Sequence, residues 1–362
     1  MPYETFVSRA RVAGLLAFAA CGGGSAPIGP VADAAPVADA GAVADAASAA
    51  DAAVDADADA AADAAADAAA DAAADAAADA AAVPDAAPDA ALPDAAPSGP
   101  LGLRILSSNL TSGNNQRYEA PGARILSGLH PDVVLVQELN VGDNQPATLR
   151  AFVDSTFGPT FSVFRESTTG IPNGVISRYP ILASGSFDDP SLTDREFVYA
   201  RLDIPGPRDL WAISVHLKAS SSSSSTRATE ASALVAAIQA NIPDDDYLVI
   251  AGDLNTDNPA EACLTTLGAV VVTTGVLPAD QAGTVGTNQP RSRPYDRILL
   301  DAELTALEVP VAIGAQSFEH GLVFDSRLYT PLTDVAPVLS TDSGTTGMQH
   351  MAVVRDLLLP AP

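Results

Sequence analysis

Beyond residue 100 the apolar side chains come in short continuous runs, each closed by a polar or turn-forming residue. Leu103–Leu106, Val133–Val136, Gly174–Ser177, Leu210–Val215 and Tyr247–Ile250 are each four to six residues long. That is the length of strands buried on both faces and too short for buried helices. Phe161–Arg165, Val198–Leu202 and Ile298–Leu300 extend the set. Two stretches carry helical spacing instead. Tyr118–Leu129 is stopped by Pro131, since proline lacks the amide a helix needs. In Thr226–Asn241, Thr226 is placed to cap, Glu230 falls in the first turn, and Leu234, Val235 and Ile238 line one face. Strands outnumber helices. The pattern predicts an α+β fold of two packed sheets with helices outside, because a doubly wound parallel sheet needs more helices than the spacing supplies.

The first 98 residues have a different texture. Arg9 and Arg11 precede an apolar stretch, Val12–Ala20, that ends in small residues; this is the layout of an export signal. Phe18-Ala19-Ala20-Cys21 resembles a bacterial lipobox, in which the cysteine is lipidated and becomes the mature N-terminus. Gly22 follows where retention in the inner membrane favours aspartate. The expected location is therefore an outer-membrane or cell-surface lipoprotein anchored through Cys21, or the periplasm or medium. Residues 22–98 are nearly all Ala, Asp and Pro, and from Asp59 to Asp79 an aspartate recurs at every fourth position. Alanine favours helix, but like charges four apart repel by about 0.2–0.5 kcal/mol per pair. With no large side chain to pack, the segment is expected to be a disordered Ala/Asp-rich tail.

Charge and cysteine count narrow the classes. The net charge of −27 divides almost evenly between this tail and residues 99–362, which excludes a strongly basic nucleic-acid platform. Cys21 and Cys263 are the only cysteines, so a disulfide-stapled fold is excluded, and Cys263 reads as a buried core thiol. The 264 residues from 99 to 362 suffice for one substantial core, and a monomer is expected.

Polar residues gather where the apolar runs end. Asn109, Glu138, His216, Asp253, Asn255, Asp296 and His350 stand at or just beyond such ends, positions from which a sheet rim aims side chains. Three carboxylates, two amides and two imidazoles suit a hard divalent cation combined with proton transfer. His130 and His320 carry no such context.

Gln137-Glu138 after Val133–Val136, Ser214-Val215-His216-Leu217, Gly252-Asp253-Leu254-Asn255 and Tyr295-Asp296-Arg297-Ile298 occur in one order. Together they resemble the endonuclease/exonuclease/phosphatase superfamily, typified by deoxyribonuclease I, over about residues 101–358. The resemblance implies a four-layer αββα sandwich of two mixed β-sheets and metal-dependent cleavage of a phosphate ester. It implies that Glu138, assisted by Asn109, holds Mg²⁺ (or Mn²⁺, or Ca²⁺). Asp253 and Asn255 would position the attacking water and the phosphate, side by side on extended backbone. His350, braced by Asp296, would activate water or stabilise the pentacovalent state. His216, oriented by Glu196, would protonate the leaving oxygen. This second histidine matches the deoxyribonuclease-like and sphingomyelinase-like branches. One departure stands out: Gln349 replaces the aspartate that usually precedes the last histidine, a poorer ligand for a hard cation, which leaves Glu138 with most of the anionic coordination.

The substrate reading is a nucleic acid or another phosphodiester. Lys218, the only lysine, and Arg195 are candidate phosphate contacts, Ser220–Ser225 reads as a flexible loop beside the cleft, and Arg104, Arg195, Arg291, Arg293 and Arg297 could form a local basic strip. An extracellular or periplasmic nuclease leads. The alternative is a sphingomyelinase-like or small-molecule phosphoesterase, although one Trp and 5% aromatics offer no aromatic hairpin for a bilayer. A third reading, suggested by Gln349, is a surface lipoprotein that binds without catalysing.

Overall fold

The computed structural model describes residues 99–111, 119–167 and 170–361; the expected signal, Cys21, the spacer and Tyr118 lie outside them. In chain order the elements are β1 (Leu101–Asn109), α1 (Glu119–Gly128), β2 (Val133–Gln137), α2 (Pro146–Phe157), β3 (Ser162–Arg165), β4 (Gly174–Ser177), β5 (Ile181–Phe187), β6 (Phe197–Leu202) and β7 (Leu210–His216). There follow α3 (Ser224–Asn241), β8 (Tyr247–Asp253), α4 (Ala262–Leu267), β9 (Asp296–Leu300) and α5 (Ala302–Ala306). The last are β10 (Glu308–Val309), β11 (Val311–Ile313), β12 (Gln316–Phe318), β13 (Leu322–Phe324) and β14 (Ala352–Leu359).

Two mixed sheets result. One runs β10-β14-β1-β2-β4-β3, with β13 also on β14; the other runs β5-β6-β7-β8-β9. The β1–β2 and β7–β8 pairs are parallel and their neighbours antiparallel. Period-two alternation divides each apolar run between two layers. Leu103, Ile105, Val133 and Leu135 face Val198, Ala212, Val249 and Ala251 between the sheets. On the other face of the first sheet, Leu106, Val134 and Val136 meet Leu126, Leu149 and Val153 of α1 and α2. Ile213, Ile250 and Leu299 meet Leu234, Ile238 and Leu264 of α3 and α4 outside the second. Helix, sheet, sheet and helix therefore stack as the four layers expected, and every strand of the middle is dry on both sides, which is why the runs are continuous rather than alternating.

Two expectations need correcting. Thr226 does not cap α3: the helix begins at Ser224, preceded by a 3₁₀ turn over Ser221–Ser223. The serine run is thus largely helical rather than a loop, and Glu230 lies in the second turn, fully buried, accepting from Lys218 N at 3.0 Å. The pattern also missed β14, the neighbour of β1. Arg355-Asp356 interrupts its apolar sequence, but Arg104 Nε and Nη2 clamp Asp356 at 2.7 and 2.6 Å from β1, and Arg355 pairs with Glu308 on β10.

A fully buried ion pair ties the loops near the strand ends. Arg227 on α3 holds both oxygens of Glu261 (2.9 and 3.0 Å) and donates to the carbonyls of Lys218 and Ser220 at 2.9 and 2.8 Å. Removing one partner strands a buried charge, which costs roughly 3–5 kcal/mol. Arg227→Ala is expected to lower the unfolding free energy by that amount, read in a urea titration as a lower midpoint with the m-value unchanged.

Candidate active site

Register builds the site. Across three adjacent strands His216, Asp253 and Asp296 lie directly opposite one another, closing the same rim of the second sheet. In the first sheet Asn109 lies opposite Gln137, so β1 and β2 also end together, with Glu138 one residue further. His350 stands just before β14 and bridges to Asn288. The two sheets present these ends to each other, joined beneath by Gln137 Nε2 donating to Ser214 Oγ at 2.9 Å, which in turn donates to Val136 O at 2.8 Å.

Asp253, 1% exposed, is the hub. Its Oδ2 accepts from Asn109 Nδ2 at 3.1 Å and lies 3.4 Å from His216 Nε2 and 3.6 Å from His350 Nε2. Its Oδ1 accepts from Asn255 N at 3.0 Å. The Asn109 amide also reaches Glu138 Oε1 at 3.4 Å, and that oxygen is 4.0 Å from His216 Nδ1. Asp296 Oδ2 braces His350 Nδ1 at 2.9 Å. Asn109, Glu138, His216, Asp253, Asp296 and His350 thus form one connected cluster.

Burial and charge separate the two imidazoles. Burial holds His216 well below the ordinary histidine value, helped by the positive charges of Arg195 and His350. Burial acts the same way on His350, but the carboxylates of Asp296 and Asp253 outweigh it and raise its proton affinity well above the ordinary value. Burial pushes Asp253 up, against the pull of the His350 charge. The site therefore offers one imidazole that accepts a proton and one that carries one. Burial favours the neutral form of His216.

The backbone at this rim is strained. Thr111, Glu138 and Asn255 have φ of 52°, 54° and 50°, a left-handed region that costs L-residues roughly 1–2 kcal/mol. For Asn255 this replaces the extended geometry expected: the turn aims its amide at Leu217 O, 3.0 Å away, rather than beside Asp253.

Three further expectations change. Glu196 does not meet His216; its carboxylate takes the hydroxyl of Ser186 on the neighbouring β5, and His216 Nδ1 has no hydrogen-bond partner. Arg195 is buried with its nitrogens on the carbonyls of His216 and Leu217 and on Asp194, which leaves it a strut rather than a phosphate contact. The basic strip does not form. Arg104 is committed to Asp356, Arg291 to Asp280 and Asp325, and Arg297 is buried. Lys218 and Arg293 remain exposed near the rim. Gln349 has an exposed side chain and hangs its backbone amide on Thr111 Oγ1 at 3.3 Å.

Sequence reasoning missed Thr111 and Thr287. Thr111 N donates to Asn109 Oδ1 at 2.7 Å, and Thr287 Oγ1 accepts from Asp296 N at 2.9 Å while its carbonyl accepts from Met351 N at 2.7 Å. Each orients a catalytic candidate, and neither carries a signal in its own surroundings.

For a cation, the donors fit. Asp253, Asp296 and His350 offer ligand atoms within 4.8 Å of one another, Asp296 Oδ1 is buried without a partner, and Glu138 adds a half-buried carboxylate. Oxygen donors of this kind suit a hard divalent ion.

The chain is a four-layer sandwich whose two sheets converge on an acid, amide and imidazole cluster. Residues 116–317 match the model of the Endonuclease/Exonuclease/phosphatase family, more than half of the chain, and the chain belongs to that family. Among solved structures, a functionally unknown conserved protein from Enterococcus faecalis V583 is similar at 10% identity and a TM-score of 0.51, over 71% of this chain and 100% of its own. An endonuclease/exonuclease/phosphatase family protein from Leptotrichia buccalis aligns at 16% identity and a TM-score of 0.49, over 70% and 98%. D. rerio TDP2 complexed with single strand DNA product aligns at 19% and 0.48, over 70% and 98%. The curated proteins include no match.

Proposed function

We propose that this chain is a divalent-metal-dependent phosphodiesterase that cleaves nucleic-acid strands outside the cytoplasm, held at the outer surface through Cys21. The observation that carries the catalytic part is the convergence of Asp253, Asp296 and Glu138 with two imidazoles within direct reach of one another. Glu138, with Asp253 beside it, would hold Mg²⁺ or Mn²⁺, and the ion when bound supplies Lewis-acid stabilisation of charge on the phosphoryl oxygens. Asn109 keeps the two carboxylates apart and oriented through its shared amide. Asp296 fixes the His350 ring, and His216 and His350 flank Asp253 from opposite strands as the two proton-transfer groups.

Export and anchoring rest on the basic pair, the apolar stretch and Cys21. The nucleic-acid preference over a bilayer lipid rests on the absence, in the sequence, of an aromatic hairpin for a bilayer. The test is direct. The full chain with plasmid DNA is expected to nick it in Mg²⁺ or Mn²⁺, to stop on chelation, and to lose the activity in His216→Ala. Hydrolysis of sphingomyelin or a generic diester without nicking would move the substrate to lipids or small molecules. No hydrolysis of any of the three would leave a binding protein.

A further inference from the structure

The loop from β5 to β6 returns an arginine to the end of β7. Arg195, 5% exposed, donates Nε to His216 O at 2.6 Å and Nη2 to Leu217 O at 3.2 Å, and Nη1 reaches the exposed Asp194 at 3.2 Å. Three more carboxyls are buried around it: Glu166 after β3, Asp189 in the same loop, and Glu230 on α3. They share one arrangement. Glu166 Oε1 accepts from Asn173 N, Asp189 Oδ1 from Ser191 N and Leu192 N, and Glu230 Oε2 from Lys218 N. Among the described residues the second oxygen of each is buried with no hydrogen-bond partner, the Glu196 backbone amide adding a further pull on the Glu166 carboxyl. A buried ionised carboxylate in that position is far more costly than a neutral acid. Glu166, Asp189 and Arg195 also line a cleft of about 720 Å³, a route for protons from solvent.

We propose that Arg195 is a positioning residue for His216, and that Glu166, Asp189 and Glu230 form a buried carboxyl cage that keeps it on the β7 carbonyls. With Glu166 and Glu230 protonated, the guanidinium is left to His216 O and Leu217 O. Ionised, the two acids compete for it and loosen the strand end that carries His216. The proposal rests on the reading of His216 as a catalytic group. It is independent of the metal ligands, which the cage does not touch.

The charged groups facing each member are consistent with this. Glu166 is faced by Glu196 and Arg195, Asp189 by Arg195 and Asp194, and Glu230 by Asp189, Arg195 and Arg227. Burial, the largest influence on each, holds Glu166 and Glu230 up at about 7 and Asp189 above the usual carboxylate range. The folded state therefore keeps protons that the unfolded chain releases above the ordinary glutamate value of 4.5. The stability this contributes is complete below that value and is lost as pH rises through about 7.

The experiment melts the full chain from about pH 5.5 to about pH 8.5 and follows kcat and KM on a generic phosphodiester over the same range. The melting temperature is expected to fall with rising pH, the cage supplying its part up to about 7 and His350 a further part above that. Glu166→Gln with Glu230→Gln should remove the cage's part of that slope, raise the melting temperature at the alkaline end, and move the alkaline limb of kcat upward with KM unchanged. Each single Gln variant should give part of the effect, which covers a double variant that folds poorly. Arg195→Lys should retain more kcat than Arg195→Ala. An unchanged slope, or lower melting at the alkaline end in the Gln variants, overturns the cage. A flattened slope with an unmoved kcat profile overturns the link to His216. A chain that hydrolyses nothing defeats the catalytic reading, while the melting curves still decide the cage.

Discussion

Asp253→Asn is expected to lower kcat/KM by roughly 10²–10⁴ with only a small change in folding stability, since the loss of one acceptor, about 1–3 kcal/mol, is offset by the removal of a buried charge. The amide keeps the shape of the carboxylate, and one oxygen remains to accept from Asn255 N or Asn109 Nδ2, the two donors at 3.0 and 3.1 Å. What it removes is charge. Asp253 is one of the carboxylates, with Asp296 and Glu138, that favour a protonated His350, and its Oδ2 is the atom that both imidazoles approach. Without it the His350 ring loses part of its proton affinity, and a divalent ion loses a ligand. Burial already presses this carboxyl toward its neutral form, so the relief a neutral isostere brings offsets the one donor it leaves without an acceptor. Equal falls in kcat and kcat/KM would show that the interaction is made in the transition state. A variant with parental turnover would remove Asp253 from the mechanism and, with it, the cluster that the functional reading stands on. Asp253→Ala is the weaker experiment, because it also strands the Asn109 amide and mixes about 1–3 kcal/mol of destabilisation into the result.

How much of this could be read from the sequence depends on whether the signal was carried by composition or by geometry. Burial on both faces makes β2, β7 and β8 continuous apolar runs, so the middle of both sheets was legible. The polar residue ending each run then located the rim, because a dry strand stops where it meets solvent or chemistry. β14 was hidden because its charges are compensated across strands, Asp356 by Arg104 and Arg355 by Glu308, pairings that lie far apart in sequence. Left-handed backbone at Glu138 and Asn255 is invisible in composition, and it is what redirected Asn255 to Leu217 O. Glu196 shows the limit of reading by register. Counting on from Val198 opposite Ser214 puts Glu196 opposite His216, yet β6 starts only at Phe197 and Arg195 takes the His216 carbonyl instead. A neighbouring arginine that is itself buried leaves no trace in a charge count. The same holds for the arginines that could have made a basic strip: their number was readable, their partners were not.

The strongest structural test lies at Gly252, the penultimate residue of β8. Gly252→Ala is expected to destabilise the protein by more than about 4 kcal/mol, at the exceptional end for a single substitution. Its φ is 153°, and a Cβ there would collide with the carbonyl oxygen of Val215 on β7 and approach Gln137 Nε2 to 3.0 Å. Both neighbours are fixed. Val215 lies opposite Gly252 in the parallel β7–β8 ladder, and Gln137 is pinned by its hydrogen bond to Ser214 across the sheets. Relief requires β7 and β8 to separate where His216 faces Asp253, so the fold and the site are lost together. At roughly 2–4 °C per kcal/mol for a domain of this size, the melting temperature should drop by about 10 °C or more, and any soluble fraction should be inactive. Gly275→Ala is the control, with φ of 125° but nothing within 4 Å of the added carbon. Comparable damage at both positions would mean that backbone strain alone is responsible. Severe damage at Gly252 with mild damage at Gly275 would locate it in the collision, and so in the close approach of β7, β8 and Gln137 that sets His216 against Asp253.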